Sequence, residues 1–134
     1  MDYCTNNSIS DLTITGGEAW FYPDWLGGGM RLSYSDPTIT NVTITNNMAL
    51  GGGGMLIQNY SNPTLTGVTI TNNTGYSSRG GGVYVETGSN PTFTNSILWN
   101  NIPHVHPSLM ANIGGVPSVT YSDIEGGWDG EGNI

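Results

Sequence analysis

The sequence contains no lysine, only two arginines and a single cysteine in 134 residues. Ten acidic residues against these two cations give a formal net charge of −8. Because nucleic-acid-binding proteins neutralise phosphates with Lys and Arg side chains, this balance argues against a DNA or RNA partner. The same shortage of cations argues against binding to an anionic membrane surface.

Long hydrophobic runs and helical periodicity are also missing. No apolar stretch approaches the ~18 residues of a membrane-spanning helix, so we expect no membrane insertion. The opening residues 1–4, Met-Asp-Tyr-Cys, lack the basic and apolar regions of a signal peptide. Cys4, as the sole cysteine, forms no internal disulfide. Nowhere do apolar residues recur at a spacing of ~3.6, so we expect no helix.

What the sequence has instead is an internal repeat. Pro63 follows Pro37 by 26 residues, Pro91 follows after 28 more, and Pro117 after a further 26. The three clearest copies read Gly-Gly-apolar-x-apolar, then Asn/Asp-Pro-Thr-x-Thr, and end in Asn-Asn. A degenerate copy at 8–15 precedes them. A fixed period of this length is typical of solenoid proteins.

Apolar residues within each copy fall at every second position, which predicts three short strands per copy. We therefore predict an all-β fold, a right-handed parallel β-helix of about five turns, in which each strand pairs with its equivalent one turn later. The inward columns predicted to stack are Met30, Met55 and Val83; Ile39, Leu65, Phe93 and Val119; and Ile44, Ile70, Leu98 and Ile124.

We treat 1–134 as a single domain with three irregular segments. These are an aromatic insertion at 16–26, a turn insertion at 102–116 and an acidic, Gly-rich end loop at 125–134. The recurring Asn-Asn pairs fall where strands must turn, and Asn accepts left-handed backbone there. We interpret these pairs as structural ladders between turns: Asn46 and Asn47, Asn72 and Asn73, Asn100 and Asn101.

The repeat resembles the right-handed parallel β-helix repeats of secreted and surface proteins. It is especially similar to the Gly-Gly-x-x and Phe-x-x-Asn repeats of polymorphic outer-membrane autotransporters and of choice-of-anchor cell-surface proteins. The resemblance covers nearly the whole chain and implies surface display, adhesion or association with carbohydrate. It also implies that the family sequence continues beyond Asn133-Ile134, so we expect a fragment of a longer surface protein with an extracellular or cell-surface location.

The most regular outward feature is a Ser/Thr-x-Ser/Thr pattern that recurs once per turn, here called the hydroxyl face. Its members are Ser8, Ser10, Thr38, Thr40, Thr64, Thr66, Thr92, Thr94, Ser118 and Thr120. Stacked strands would make these side chains a flat, uncharged grid, similar to the ice-binding faces of β-solenoid antifreeze proteins. With the nearby Tyr34 and Tyr60, the same grid is a candidate surface for polysaccharide.

Four aromatic residues, Trp20, Phe21, Tyr22 and Trp25, crowd the first insertion. Exposed aromatic rings can stack on sugar faces or anchor a partner protein. The alternative is that they plug the open first turn and cover its strand edges. The sequence leaves both interpretations open.

Two groups of residues are candidate metal ligands. Asp123, Glu125, Asp129 and Glu131 form the densest set of oxygen ligands and make calcium the one candidate cofactor, although their spacing does not fit an EF-hand loop. His104 and His106 would point the same way in an extended segment, but no third ligand lies near them in the sequence. A solvated acidic loop and an ordinary surface loop are the simpler interpretations.

Catalysis has little support in the residues. Arg31 and Arg79 are the only fixed cations, and no acidic cluster recurs on one face as glycan cleavage would need. We therefore predict a non-enzymatic structural or adhesive module, with polysaccharide lyase or hydrolase activity as the less favoured alternative. No polar cap is recognisable at Ile134, so we also expect end-to-end stacking of copies into fibres, since an uncovered last turn offers unpaired strands.

Overall fold

The computed structural model describes residues 1–21, 25–86, 88–102, 109–111 and 115–134. Within these ranges the chain forms seventeen short strands in four sheets. Every strand pairing in these sheets is parallel and joins one turn to the next. The described residues contain no helix that could cross a membrane. The predicted all-β parallel solenoid is confirmed.

The first and second sheets each contain five strands. The first sheet is built from β1 (Thr5–Ser10), β5 (Asp36–Thr40), β9 (Thr64–Thr66), β13 (Thr92–Thr94) and β16 (Ser118–Thr120). The second sheet is built from β2 (Thr13–Thr15), β6 (Thr43–Thr45), β10 (Thr69–Thr71), β14 (Ile97–Trp99) and β17 (Asp123–Ile124).

The third and fourth sheets are smaller, with three and four described strands. The third sheet consists of β3 (Glu18–Ala19), β7 (Met48–Ala49) and β11 (Thr74–Gly75). The fourth consists of β4 (Met30–Ser33), β8 (Met55–Gln58), β12 (Val83–Val85) and β15 (Leu109–Ala111). A full turn therefore has four strands where three were predicted, because two-residue strands are too short to show alternation. The coil makes about four turns where about five were predicted.

The predicted inward columns stack in register and form one continuous core. Ile39 pairs with Leu65, Leu65 with Phe93, and Phe93 with Val119 along the first sheet. The second sheet stacks Ile44, Ile70, Leu98 and Ile124 in the same way, and Met30 stacks on Met55 and Val83 in the fourth. All of these side chains are buried. Close packing between identical positions fixes the register of every turn.

Left-handed residues mark the four corners of the coil. The column between the first and second sheets is typical, with positive φ at Asp11, Asn41, Gly67, Asn95 and Tyr121. Between the second and third sheets the same role falls to Gly16, Asn46, Asn72 and Asn100, as predicted for the first Asn of each pair. Asn, Asp and Gly tolerate this conformation best, which explains why they recur at these positions.

The second Asn of each pair points inward and forms a buried ladder, as predicted. The Asn73 side-chain oxygen accepts from both the backbone N–H and the side-chain amide of Asn47, each at 3.0 Å. Asn101 accepts from Asn73 in the same two ways, again at 3.0 Å. The Asn73 amide also donates to the carbonyls of Ile44 and Thr71. The ladder thereby satisfies polar backbone atoms inside the coil, where an unpaired group is costly.

The C-terminal residues fold back over the last turn. Asn133 accepts from the Ser122 backbone N–H through its side-chain oxygen, at 3.0 Å, and its amide donates to the Val119 carbonyl. Ile134 donates to the Ser122 carbonyl, and Trp128 packs against the hydrophobic core. Where an uncovered edge was expected, the last turn is therefore covered over 119–124, because 131–134 supply hydrogen-bond partners there.

We predict that Asn73→Ala lowers the free energy of unfolding by about 2–4 kcal/mol, since it leaves several buried backbone groups unpaired. The matched control is Asn72→Ala, at an exposed corner position, which should cost about 1 kcal/mol through backbone strain and loss of the exposed hydrogen bond from the Asn100 amide. Urea denaturation of both variants measures the difference. An equal decrease in the free energy of unfolding for both variants would show that the buried Asn73 amide stabilises the coil no more than the exposed Asn72 amide does.

Candidate functional site

The first sheet presents the hydroxyl face as an ordered array. Strand pairing places Thr38 beside Thr64, Thr64 beside Thr92, and Thr92 beside Ser118. These four side chains are exposed. A second column, Thr40, Thr66, Thr94 and Thr120, runs parallel to the first and is half-buried. The predicted grid is therefore present, with Ser8 and Ser10 continuing it into the first turn.

The array has a regular spacing and carries no charge of its own. Neighbouring strands lie ~4.8 Å apart, and outward side chains on one strand repeat at ~6.7 Å. The Thr94 and Thr120 hydroxyl oxygens lie 3.4 Å apart, within reach of a hydrogen bond along the column. Each Thr contributes both a hydroxyl and a methyl group, so the surface can donate and accept hydrogen bonds while offering apolar contact.

An exposed ladder of carboxylate and amide groups borders the hydroxyl face on one side. Asp36 accepts from the Asn62 backbone N–H at 2.6 Å, and Asn62 accepts from the Asn90 backbone N–H at 3.0 Å. The Asn62 and Asn90 amides also reach the preceding side chain of the ladder. These bonds hold polar groups in fixed positions at the start of each strand.

A column of tyrosines lies at the corner between the fourth and first sheets. Tyr3, Tyr34 and Tyr60 all have positive φ, and their side chains are exposed. The rings of Tyr3 and Tyr34 stack with centroids 4.8 Å apart and planes 5° apart. Tyr60 lies over Gly88, where an added Cβ would come within 2.7 Å of the Tyr60 ring. Tyr34 and Tyr60 therefore lie at the same corner in successive turns, where the Tyr34 backbone N–H donates to the Asn59 carbonyl, and Tyr3 joins them by stacking on Tyr34.

Sequence reasoning missed Tyr3 because the first copy of the repeat is degenerate and has no Asp-Pro or Asn-Pro to mark the position. The feature that identifies the position of Tyr3 in the repeat is the next residue, Cys4. The backbone N–H of Cys4 donates to the Ser35 hydroxyl, as that of Ser35 donates to the Ser61 hydroxyl. Cys4 therefore aligns with the serine that follows Tyr34 and Tyr60, and Tyr3 aligns with the tyrosines.

The aromatic insertion runs along the side of the coil. Trp20 packs on Tyr76, two turns further on, with ring centroids 4.8 Å apart. The Trp25 carbonyl accepts from Leu50 in the second turn, while Phe21 is 83% exposed. Tyr22 lies outside the described residues. In its described part the insertion extends toward later turns, which is not the position of a plug over the open first turn.

The structure does not bring the four calcium candidates together as a metal site. Within the part of the chain that the structure describes, no three His, Cys, Asp or Glu side chains form a cluster that could hold a metal ion. The calcium candidates Asp123, Glu125, Asp129 and Glu131 are all described, and Glu131 instead bonds to Tyr121. His104 and His106 fall outside the described residues, as does most of the predicted turn insertion at 102–116.

A family model described as a right-handed beta helix region matches residues 1–126. The chain belongs to the right-handed β-helix family. This match agrees with the parallel coil and supports the resemblance at the level of the repeat class. Comparison with curated proteins and comparison with solved structures each find no match.

Membership in the β-helix family describes the coil but leaves the activity open. Domains of this family occur in enzymes and in non-enzymes. Because one fold can carry several functions, the side chains exposed on the surface of the coil must indicate which function this chain performs. In this β-helix the surface features are the hydroxyl face, the tyrosine column and the aromatic insertion.

One titratable contact holds the C-terminal segment of this β-helix to its last turn. The Tyr121 hydroxyl donates to a Glu131 carboxylate oxygen at 2.5 Å, and the Tyr121 backbone N–H donates to the Glu131 carbonyl at 2.8 Å. The hydrogen bond to Glu131, followed by desolvation, raises the pKa of Tyr121 above its ordinary value of 10.0. The protonated phenol is therefore the form that the folded state prefers.

We predict that this contact stabilises the C-terminal segment below pH ~10 and is lost as the pH rises through the raised pKa of Tyr121. Glu131→Gln should return the pKa of Tyr121 toward its ordinary value, since the neutral amide interacts less strongly with the phenol. Absorbance titration of tyrosinate measures the shift, with Tyr121→Phe as the control that removes this one titration. Identical titration curves for the parent protein and Glu131→Gln would contradict the assignment.

Proposed function

We propose that this β-helix is a non-enzymatic binding module of an extracellular or cell-surface protein and that its hydroxyl face binds neutral polysaccharide. The observation that carries the proposal is the two-column array of hydroxyl groups across all five strands of the first sheet. A repeating surface matches a ligand that itself repeats. A polysaccharide presents hydroxyl groups at regular intervals and can bond to such an array over several turns.

The borders of the hydroxyl face support a sugar ligand. The tyrosine column supplies exposed rings, and Tyr60 in particular is 70% exposed. Aromatic rings can pack against the apolar faces of sugars, while the Asp36–Asn62–Asn90 ladder holds polar groups beside them. In a specific binding site, apolar and aromatic side chains supply contact area and a few polar groups fix the orientation of the ligand. The tyrosine rings and the Asp36–Asn62–Asn90 ladder can fill these two roles.

The chemistry of the hydroxyl face favours binding over cleavage. Glycan hydrolysis needs a pair of carboxylates on either side of the scissile bond. The ten members of the face are Ser and Thr, which supply hydrogen bonds but neither a general acid nor a general base at neutral pH. The folded-back C-terminal segment also favours this lateral surface over end-to-end stacking, since it already occupies the edge of the last turn at 121–124.

We predict that the double variant Thr38→Val/Thr64→Val binds neutral polysaccharide about tenfold more weakly, since it loses two hydroxyl contacts and keeps strand-forming side chains. The matched control is Thr43→Val/Thr69→Val, which changes the equivalent pair of turns on the second sheet. Affinity electrophoresis in gels containing xyloglucan, mannan or β-1,3-glucan gives the dissociation constants. If none of these is bound, or if both double variants are weakened equally, the proposal is wrong.

The flat, uncharged array also favours a second candidate, ice. Threonine offers a methyl and a hydroxyl group at each grid point, and the paired strands keep the points in register. We predict that an ice-binding face would inhibit ice recrystallisation and lose this activity in Thr92→Tyr, whose ring would stand above the array. Thr13→Tyr, at an exposed position of the second sheet, is the control. Absence of inhibition by the parent protein would eliminate this candidate.

A further inference from the structure

A groove lies at the corner between the third and fourth sheets, across the first three turns. Its volume is about 310 Å³. The residues that line it are Trp25, Leu26, Leu50, Ser77, Ser78 and Arg79. The hydroxyl face lies on the first sheet, which does not form this corner. The groove is therefore separate from the hydroxyl face.

The groove exists because two turns carry extra residues at this corner and the turn between them does not. In the second turn Gly51 follows Leu50 directly. In the third turn Ser77 and Ser78 are additional, as shown by Gly52, whose N–H donates to the carbonyls of Arg79 and Gly80. In the first turn, 21–25 are additional, since Leu26 bridges to Gly51. The groove lies where Trp25 and Leu26 on one side and Ser77–Arg79 on the other meet the shorter connection at Leu50 and Gly51.

Gly51 lies next to three of the residues that line the groove. A Cβ added there would lie 2.5 Å from the Cβ of Arg79 and 3.1 Å from a methyl carbon of Leu26. It would also lie 3.2 Å from the Ser77 hydroxyl oxygen. Any larger residue at this position would therefore collide with the walls. The missing side chain keeps the groove open.

The walls combine apolar surface with two hydroxyl groups. Leu26 and Leu50 are half-buried, and Trp25 is 42% exposed. Ser77 and Ser78 supply hydroxyl groups on the opposite side. A mostly apolar concave surface with a few polar groups is typical of small-molecule sites.

Arg79 gives the groove its charge. It is one of two cationic side chains in a chain of net charge −8, and it is exposed. Its guanidinium carbon lies 5.8 Å from the centroid of the Tyr84 ring, a contact that orients the group without neutralising it. Among the residues that the structure describes, no carboxylate pairs with Arg79. Arg31, by contrast, lies against the Gln58 side chain, whose oxygen accepts from its Nε and Nη2.

We propose that this groove binds a small carboxylate whose body is an aromatic or otherwise apolar ring. The guanidinium of Arg79 would donate charge-assisted hydrogen bonds to the carboxylate oxygens, and the Ser77 and Ser78 hydroxyls lie on the same wall. The ring would lie against Trp25 and the leucines. The proposal stands independently of polysaccharide binding, because it uses none of the residues of the hydroxyl face.

The test is isothermal titration calorimetry with phenylacetate and with phenylacetamide, its neutral counterpart of the same shape. We expect phenylacetate to bind at least tenfold more tightly than phenylacetamide, since a charged partner adds one to two powers of ten. Arg79→Gln should reduce phenylacetate binding to the level of phenylacetamide. Arg31→Gln is the matched control, because it removes the same charge elsewhere and should leave the affinity within about twofold.

Three outcomes would overturn the proposal. The first is absence of phenylacetate binding, or equal binding of acid and amide, in the parent protein. The second is an equal loss in Arg79→Gln and Arg31→Gln, which would indicate long-range charge alone. The third is tighter binding of glucuronate than of phenylacetate, which would show that the groove selects a polar sugar acid. Far-ultraviolet circular dichroism verifies that both arginine variants are folded.

Discussion

The structure depends on hydrogen bonding between each turn and the next. A single turn of this coil cannot satisfy its own backbone, because its strands point in four directions and pair only with the turns above and below. The buried side-chain ladder of Asn47, Asn73 and Asn101 extends the same principle to the corner, where the strand pattern is interrupted. Serine ladders do the same at other corners, as Ser61 and Ser89 illustrate. Stability is therefore shared between neighbouring turns, as in other repeat proteins.

Repetition explains which parts of the fold could be predicted. Ile39, Leu65 and Phe93 occupy one column because each is the same position of successive copies, so register follows from the period alone. The third sheet was not predictable, since pairs such as Met48–Ala49 are too short to show alternation. The end loop at 125–134 was predicted, but its folding back over the last turn was not, because Trp128 and Asn133 occur in a stretch with no second copy. The groove left one signal, the spacing of 28 residues between Pro63 and Pro91, which reflects Ser77 and Ser78.

The two proposed sites arise in opposite ways. The hydroxyl face is made of residues that every turn repeats, so it grows with the number of turns and suits a ligand that is itself extended. The groove is made by departures from the repeat, at Ser77, Ser78 and the aromatic insertion, so it is a local feature and suits a compact ligand. The tyrosine column lies between these cases. Tyr3, Tyr34 and Tyr60 recur in three turns although left-handed backbone costs about 1 kcal/mol more for Tyr than for Gly. The fourth turn has Gly88 at this corner.

The stacking of turns also determines how the molecule responds to tension. The hydrogen bonds between turns lie along the coil axis, so a force applied to the two ends loads them directly. Because each turn contacts only its neighbours, the bonds yield turn by turn and the coil unwinds in steps. Each step releases one period of chain, about 90 Å when extended. Under a sustained pull the coil would therefore lengthen one turn at a time and dissipate mechanical work at each step.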